Sequence, residues 1–211
     1  GEPVALIATT DLRTLEIAKS KIRITYEKRE SIFSISDAVS KQSFIGPKLK
    51  ISRGDFDSAY ERAANKLEGT IEIAGQDHFY LESHAAIAYP TDIGGIEVHA
   101  STQHPTEVQH VIAHALGISE SDVVCIVKRM GGGFGGKESQ ASPFAAYVAL
   151  VANKLKRPAR LVLSKDEDMI ITGKRNPFLN SYRVGFDNRG KIEALEVNLF
   201  SDGGAYADLS T

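Results

Sequence analysis

The chain has 211 residues, 42% of them hydrophobic and 25% charged, and a formal net charge of -2. That composition is ample for a packed core, and the near-neutral charge leaves no basic footprint for nucleic acid. No apolar run reaches the ~18 residues of a membrane span, and no signal-peptide pattern opens the chain. The single cysteine, Cys125, excludes an intrachain disulfide and a cysteine-ligated iron–sulfur cluster within this stretch. It lies in an apolar run and reads as a small core residue in a reducing, cytoplasmic setting.

Both termini read as cuts. The chain starts at Gly1 without a methionine and stops at Thr211 soon after an apolar strand, so a piece of a longer polypeptide is expected. Residues 4–8 predict a strand, and Thr10 or Asp11 caps a helix to about Lys21. The alternation in residues 22–27 predicts a half-buried strand. Residues 36–39 predict a brief helix, residues 41–54 lack a period, and Asp55 opens a helix over 56–64. A domain boundary is placed near residue 53.

Residues 69–74 form the next expected strand. The polar stretch Gln76, Asp77, His78, Tyr80, Glu82, His84 follows, and its histidine spacing fits no zinc pattern. A polar turn with buried, hydrogen-bonded histidines is the better expectation. Residues 87–90 and 96–100 predict a hairpin. A helix opens near Pro105, with Val108, Val111, Ile112 and Ala115 on one face and Gly117 at its end. His110 and His114 fall on its solvated side.

The centre of the chain is a β-branched run at residues 123–127, then Gly131-Gly132-Gly133-Phe134-Gly135-Gly136-Lys137-Glu138, then an Ala-rich helix over 141–155. This reads strand, tight loop, helix. Glycines let a backbone approach a ligand closely, and N–H groups opening a helix favour negative charge. Residues 131–136 match the dinucleotide pattern GxGxxG, but no acidic residue follows about 20 positions on; Asp166 comes 30 after Gly136. Residues 131–137 match GxxxxGK, but Glu138 stands where a magnesium-binding hydroxyl belongs, and a carboxylate there repels phosphate. A strand over 159–163 follows. The run Lys165-Asp166-Glu167-Asp168 reads as a capped, solvated helix start, and residues 182–187 and 191–200 as a hairpin about Asn188-Arg189-Gly190.

Residues 75–82, Ser101-Thr102-Gln103, 129–138, Asp166-Glu167-Asp168-Met169 and Asn176-Pro177-Phe178 together resemble, in order and spacing, the molybdenum-binding region of the molybdenum hydroxylases of the xanthine dehydrogenase type. The resemblance implies an α+β fold of mixed sheets and packed helices. Residues 1–53 would be the tail of an α/β hammerhead domain, 54–67 a linker with a short helix, and 68–211 the incomplete first part of a molybdopterin-binding domain. It implies a molybdenum–pyranopterin cofactor and oxidation of purines, hypoxanthine or xanthine to urate, with water as the oxygen source. Iron–sulfur clusters and FAD would sit on other domains or subunits of an oligomeric parent.

On this resemblance Gln76 hydrogen-bonds an oxo ligand of the molybdenum, and the backbone of Phe134 and Gly135 approaches the metal centre. Glu138 binds and orients the purine, and no side chain of this chain ligates the metal directly. The family's general base lies downstream of the region matched here, so the isolated chain is expected to be inactive. Two alternatives stay open: a nucleotide- or phosphate-binding module using residues 131–137, and an aldehyde-oxidising relative. Those relatives usually carry another residue in place of Glu138, which favours purine.

Overall fold

The computed structural model of the chain describes residues 2–210. In chain order the elements are α1 (Leu12–Lys21), α2 (Ile35–Ser40), α3 (Phe56–Arg62), β1 (Asn65–Ile73), β2 (Ala85–Pro90), β3 (Ile96–Ala100), α4 (Pro105–Leu116), β4 (Val123–Ile126), α5 (Ala141–Leu155), β5 (Ala159–Val162), α6 (Lys165–Ile171), β6 (Phe178–Phe186) and β7 (Ile192–Ser201). They fall into two compact units interleaved in sequence, one of Gly1–Lys28 with Asp77–Lys174 and one of Arg29–Gln76 with Arg175–Thr211. The fold class is the expected mixture of mixed sheets and packed helices.

In the first unit the sheet order is β4-β3-β2-β5. β2 pairs antiparallel with β3 and with β5, while β3 and β4 are parallel. A parallel pair needs a crossover, and α4 supplies it. Pro105 sits in the first turn of α4, where its missing N–H costs nothing, and Gly117 ends the helix in the left-handed region at φ 65°. Val108 and Ile112 of α4 are buried against Ile96, Val98 and Val123 of the sheet; Ala115, expected on that face, is exposed. α5 covers the sheet with buried Ala145, Ala146, Ala149 and Ala152, whose small side chains let the helix lie close. Cys125 packs against this core, and burial pushes its thiol up to about 11.

The second unit holds the antiparallel sheet β1-β6-β7. β1 and β6 pair over their whole length, from Asn65 opposite Phe186 to Ile73 opposite Phe178. The β6–β7 turn is the expected hairpin: Asp187 accepts the N–H groups of Arg189 at 2.8 Å and Lys191 at 2.9 Å, and Gly190 takes φ 81°. α3 lays its buried Tyr60 on this sheet, with the Arg183 guanidinium 4.5 Å from the Tyr60 ring centre.

Two expected strands do not form. Residues 4–8 and 22–27 pair with no other described segment, and Val4, Leu6, Ile24 and Tyr26 stay exposed. A strand draws its hydrogen bonds and burial from a neighbour, so alternation alone does not create one. Asp168 is a second correction. The capped helix start is present, with a reciprocal Ser164–Glu167 capping box, but Asp168 is buried. Among the described residues no helix is long and apolar enough to cross a membrane.

Candidate functional site

β4 delivers the chain to the glycine loop, and α5 takes it away. The loop turns through left-handed backbone at Gly132 (φ 94°), Phe134 (φ 53°) and Gly135 (φ 88°). For Phe134 that conformation costs about 1–2 kcal/mol, and its side chain is 73% exposed. The other glycines answer to packing. A Cβ on Gly131 would come within 2.6 Å of the Glu82 Cβ, one on Gly133 within 2.5 Å of the Gln103 Oε1, and one on Gly136 within 2.7 Å of the His78 ring.

Three side chains grip the loop from beneath. Gln103, just past β3, accepts the Gly135 N–H at 2.9 Å and the Lys137 N–H at 3.2 Å on one carbonyl oxygen. Its own N–H donates to the Lys137 carbonyl at 2.9 Å. Glu82 Oε2 accepts the Gly131 N–H at 2.7 Å and the Ser101 hydroxyl at 2.8 Å. Lys137 is 0% exposed and points inward. Its Nζ donates at 2.7 Å to both the Glu82 carbonyl and Ser101 Oγ, lies 3.4 Å from Glu82 Oε2, and sits 4.6 Å from the Tyr80 ring centre.

The electrostatics follow from this packing. Burial works against ionisation of Glu82, but the Gly131 N–H, the Ser101 hydroxyl and Lys137 outweigh it and hold its carboxyl below the usual range. Burial pulls the Lys137 ammonium below its ordinary value, with Glu82 opposing.

Deeper in the same unit, His84 and Asp168 are each 1% exposed. Asp168 accepts the Tyr80 hydroxyl and the His84 backbone N–H, and lies 3.0 Å from His84 Nδ1. Burial disfavours the Asp168 carboxylate, yet these donors hold it below the usual range. Burial likewise pulls His84 down, against the pull of Asp168. His84 is thus the buried, hydrogen-bonded histidine expected of this stretch. His110 and His114 lie exposed on α4, and among the described residues no group of three or more His, Cys, Asp or Glu is placed to hold a metal ion.

Of the residues singled out from the sequence, Phe134, Gly135 and Glu138 share one exposed loop. Gln76 belongs to the other unit, where its backbone exchanges hydrogen bonds with Arg175 at 3.3 and 3.0 Å. The roles of Glu82, Gln103 and the inward Lys137 were not anticipated. Their letters stood inside the quoted motifs, but nothing local shows that they meet.

Residues 37–211 match the family model described as molybdopterin cofactor-binding domain. The chain belongs to this family. It is 45% identical over 207 residues to xanthine dehydrogenase/oxidase of Gallus gallus, covering 98% of this chain and 15% of that protein. It is 38% identical over 210 residues to aldehyde oxidase 3 of Rattus norvegicus, covering 99% of this chain and 16% of that one. The chain therefore spans about 15% of the length of the curated relatives it matches. Among solved structures, quinoline 2-oxidoreductase from Pseudomonas putida 86 superposes with a TM-score of 0.80 at 22% identity, over 93% of this chain and 26% of that one, which shows a shared fold.

The loop suits the cofactor that names the family. A Cβ on Gly135 would meet nothing within 4 Å, so a large polar group has room to approach the backbone there. The strained Phe134 and the bracing beneath it hold that backbone in place, as a preorganised site requires.

Proposed function

We propose that this chain is the cofactor-facing segment of a molybdenum hydroxylase that oxidises purines, hypoxanthine or xanthine to urate, with water as oxygen source. The observation that carries the purine assignment is the placement of Lys137 and Glu138. The lysine is spent inside the fold, and the next carboxylate stands exposed on the loop. A carboxylate there accepts N–H groups of a neutral heterocycle, whereas an aldehyde carries no such donor. In this reading Gln76 donates its side-chain N–H to the cofactor, Phe134 and Gly135 present backbone to it, and Glu138 orients the ring. The cofactor supplies the two-electron oxidation. Iron–sulfur clusters and FAD on other domains or subunits of an oligomeric, cytoplasmic parent carry the electrons away. The general base lies outside this chain, which by itself turns over no substrate.

The test is Glu138→Ala in the full-length protein. kcat/KM for xanthine is expected to fall roughly 10- to 1000-fold, on the order of 1.4–4 kcal/mol of transition-state stabilisation. A purine rate within twofold of wild type would sink this role, and a wild-type protein that turned over aldehydes in preference to xanthine, with that rate unchanged in Glu138→Ala, would favour the aldehyde-oxidising reading.

A further inference from the structure

We propose that Gln103 is a positioning residue that sets the orientation of the cofactor-facing peptide between Phe134 and Gly135. The consequence for the cofactor rests on the function proposed above; the brace itself rests on geometry alone. One carboxamide oxygen receives two N–H groups of the loop, from Gly135 and Lys137, across 32 and 34 residues of chain. A trans peptide unit points its N–H and its C=O to opposite sides. Fixing the Gly135 N–H on Gln103 therefore aims the Phe134 carbonyl away from Gln103, and the same plane carries the strained Phe134 backbone.

Gln103 is itself held in register. Its backbone N–H donates to the Lys137 carbonyl at 2.9 Å, and the neighbouring Thr102 hydroxyl donates to the same carbonyl at 3.1 Å. Thr102 is 2% exposed. Contact is also tight from the loop side, since a Cβ at Gly133 would fall 2.5 Å from Gln103 Oε1. The side chain thus has a fixed base, a close wall and two donors converging on one acceptor. That arrangement chooses one orientation of a peptide that a run of glycines would otherwise leave free to flip. What the loop requires of residue 103 is an acceptor at this point in space, and the amide NH2 takes no part in either bond.

Two variants of the full-length protein separate the acceptor from the bulk of the side chain. Gln103→Leu removes the acceptor and keeps the volume; Gln103→Glu keeps the acceptor. Amide hydrogen exchange over residues 131–138 should accelerate roughly 10- to 30-fold in Gln103→Leu, the scale of one or two lost hydrogen bonds, and stay near wild type in Gln103→Glu. In samples matched for molybdenum content, Gln103→Leu should also change the line shape of the Mo(V) electron paramagnetic resonance signal and lower kcat more than it changes KM. Wild-type exchange in Gln103→Leu would overturn the brace. Accelerated exchange with an unaltered line shape and kcat would overturn its bearing on the cofactor. Absence of molybdenum from the wild-type protein would instead overturn the proposed function, and the exchange measurement would still decide the brace.

Discussion

Replacing Lys137 by methionine tests whether the lysine is a structural strut. The substitution keeps an unbranched side chain in a site that is 0% exposed, so little cavity opens. It deletes two 2.7 Å hydrogen bonds, to the Glu82 carbonyl and Ser101 Oγ, and the cation 3.4 Å from Glu82 Oε2. Breaking a fully buried ion pair by removing one partner costs about 3–5 kcal/mol. Here the Glu82 side chain is 39% exposed and keeps the Gly131 N–H and the Ser101 hydroxyl, so water and these donors recover part of the loss. The expected cost is about 2–3 kcal/mol, which is roughly a 30- to 150-fold change in a local opening equilibrium. Hydrogen exchange in the full-length protein reads this directly, as faster exchange confined to residues 99–104 and 128–138. Adding Glu82→Gln removes the stranded carboxylate and should return about 1 kcal/mol, a coupling that a double-mutant cycle isolates. Acceleration below threefold in Lys137→Met would refute the strut. If ATP or NAD bound the wild-type protein and Lys137→Met abolished that binding, the lysine would be serving a phosphate.

Two further outcomes follow from the geometry. Stability should fall as the medium becomes acidic. The folded chain holds His84 below its ordinary 6.5, so the unfolded chain takes up that proton first as pH drops through about 6.5. Glu82 and Asp168 are held below their ordinary 4.5 and 3.8, and add losses of the same sign as pH falls further. A urea midpoint should decline as pH falls from about 6.5 to about 4, and a rise over that range would contradict the assignment. At the other end of α5, Lys156 caps the helix at φ 52°, a conformation that suits glycine. Lys156→Gly should stabilise the last turn by about 1 kcal/mol, seen as slower exchange over residues 152–157; faster exchange there would count against it.

What could be read from the sequence was what local chemistry decides. Pro105 and Gly117 bracket α4, the apolar period of residues 141–155 gives α5, and Asn188-Arg189-Gly190 turns β6 into β7. What could not be read depends on partners far along the chain. The alternation in residues 22–27 looks like a strand, but pairing is not a property of six residues. Asp168 sits in an acidic run that reads as solvated, and its burial comes from Tyr80 and His84, 88 and 84 positions away. Lys137 carries the letters of a phosphate-binding lysine, and its true partners, Glu82 and Ser101, lie 55 and 36 positions earlier. Phe134, Gly135 and Glu138 stand exposed together because one contiguous loop carries all three.

The hydrogen bonding of the loop argues against the phosphate reading more strongly than Glu138 does. A phosphate nest works by turning successive backbone N–H groups outward toward the anion. Here the Gly131 N–H goes to Glu82, the Gly135 and Lys137 N–H groups go to Gln103, and the Gly136 N–H goes to the Gly133 carbonyl at 2.8 Å. Four backbone donors within seven residues are already committed inside the protein, and the lysine that would reach a phosphate is committed with them. For Lys137 to reach a phosphate it would have to give up its bonds to Glu82 and Ser101 and leave Glu82 without its cation. Its glycines serve a different purpose: three allow Glu82, Gln103 and His78 to pack against the backbone, and Gly135 leaves open space on the exposed side. A backbone held rigid from below and open above is suited to a bulky group that approaches without an anion's demand for N–H donors.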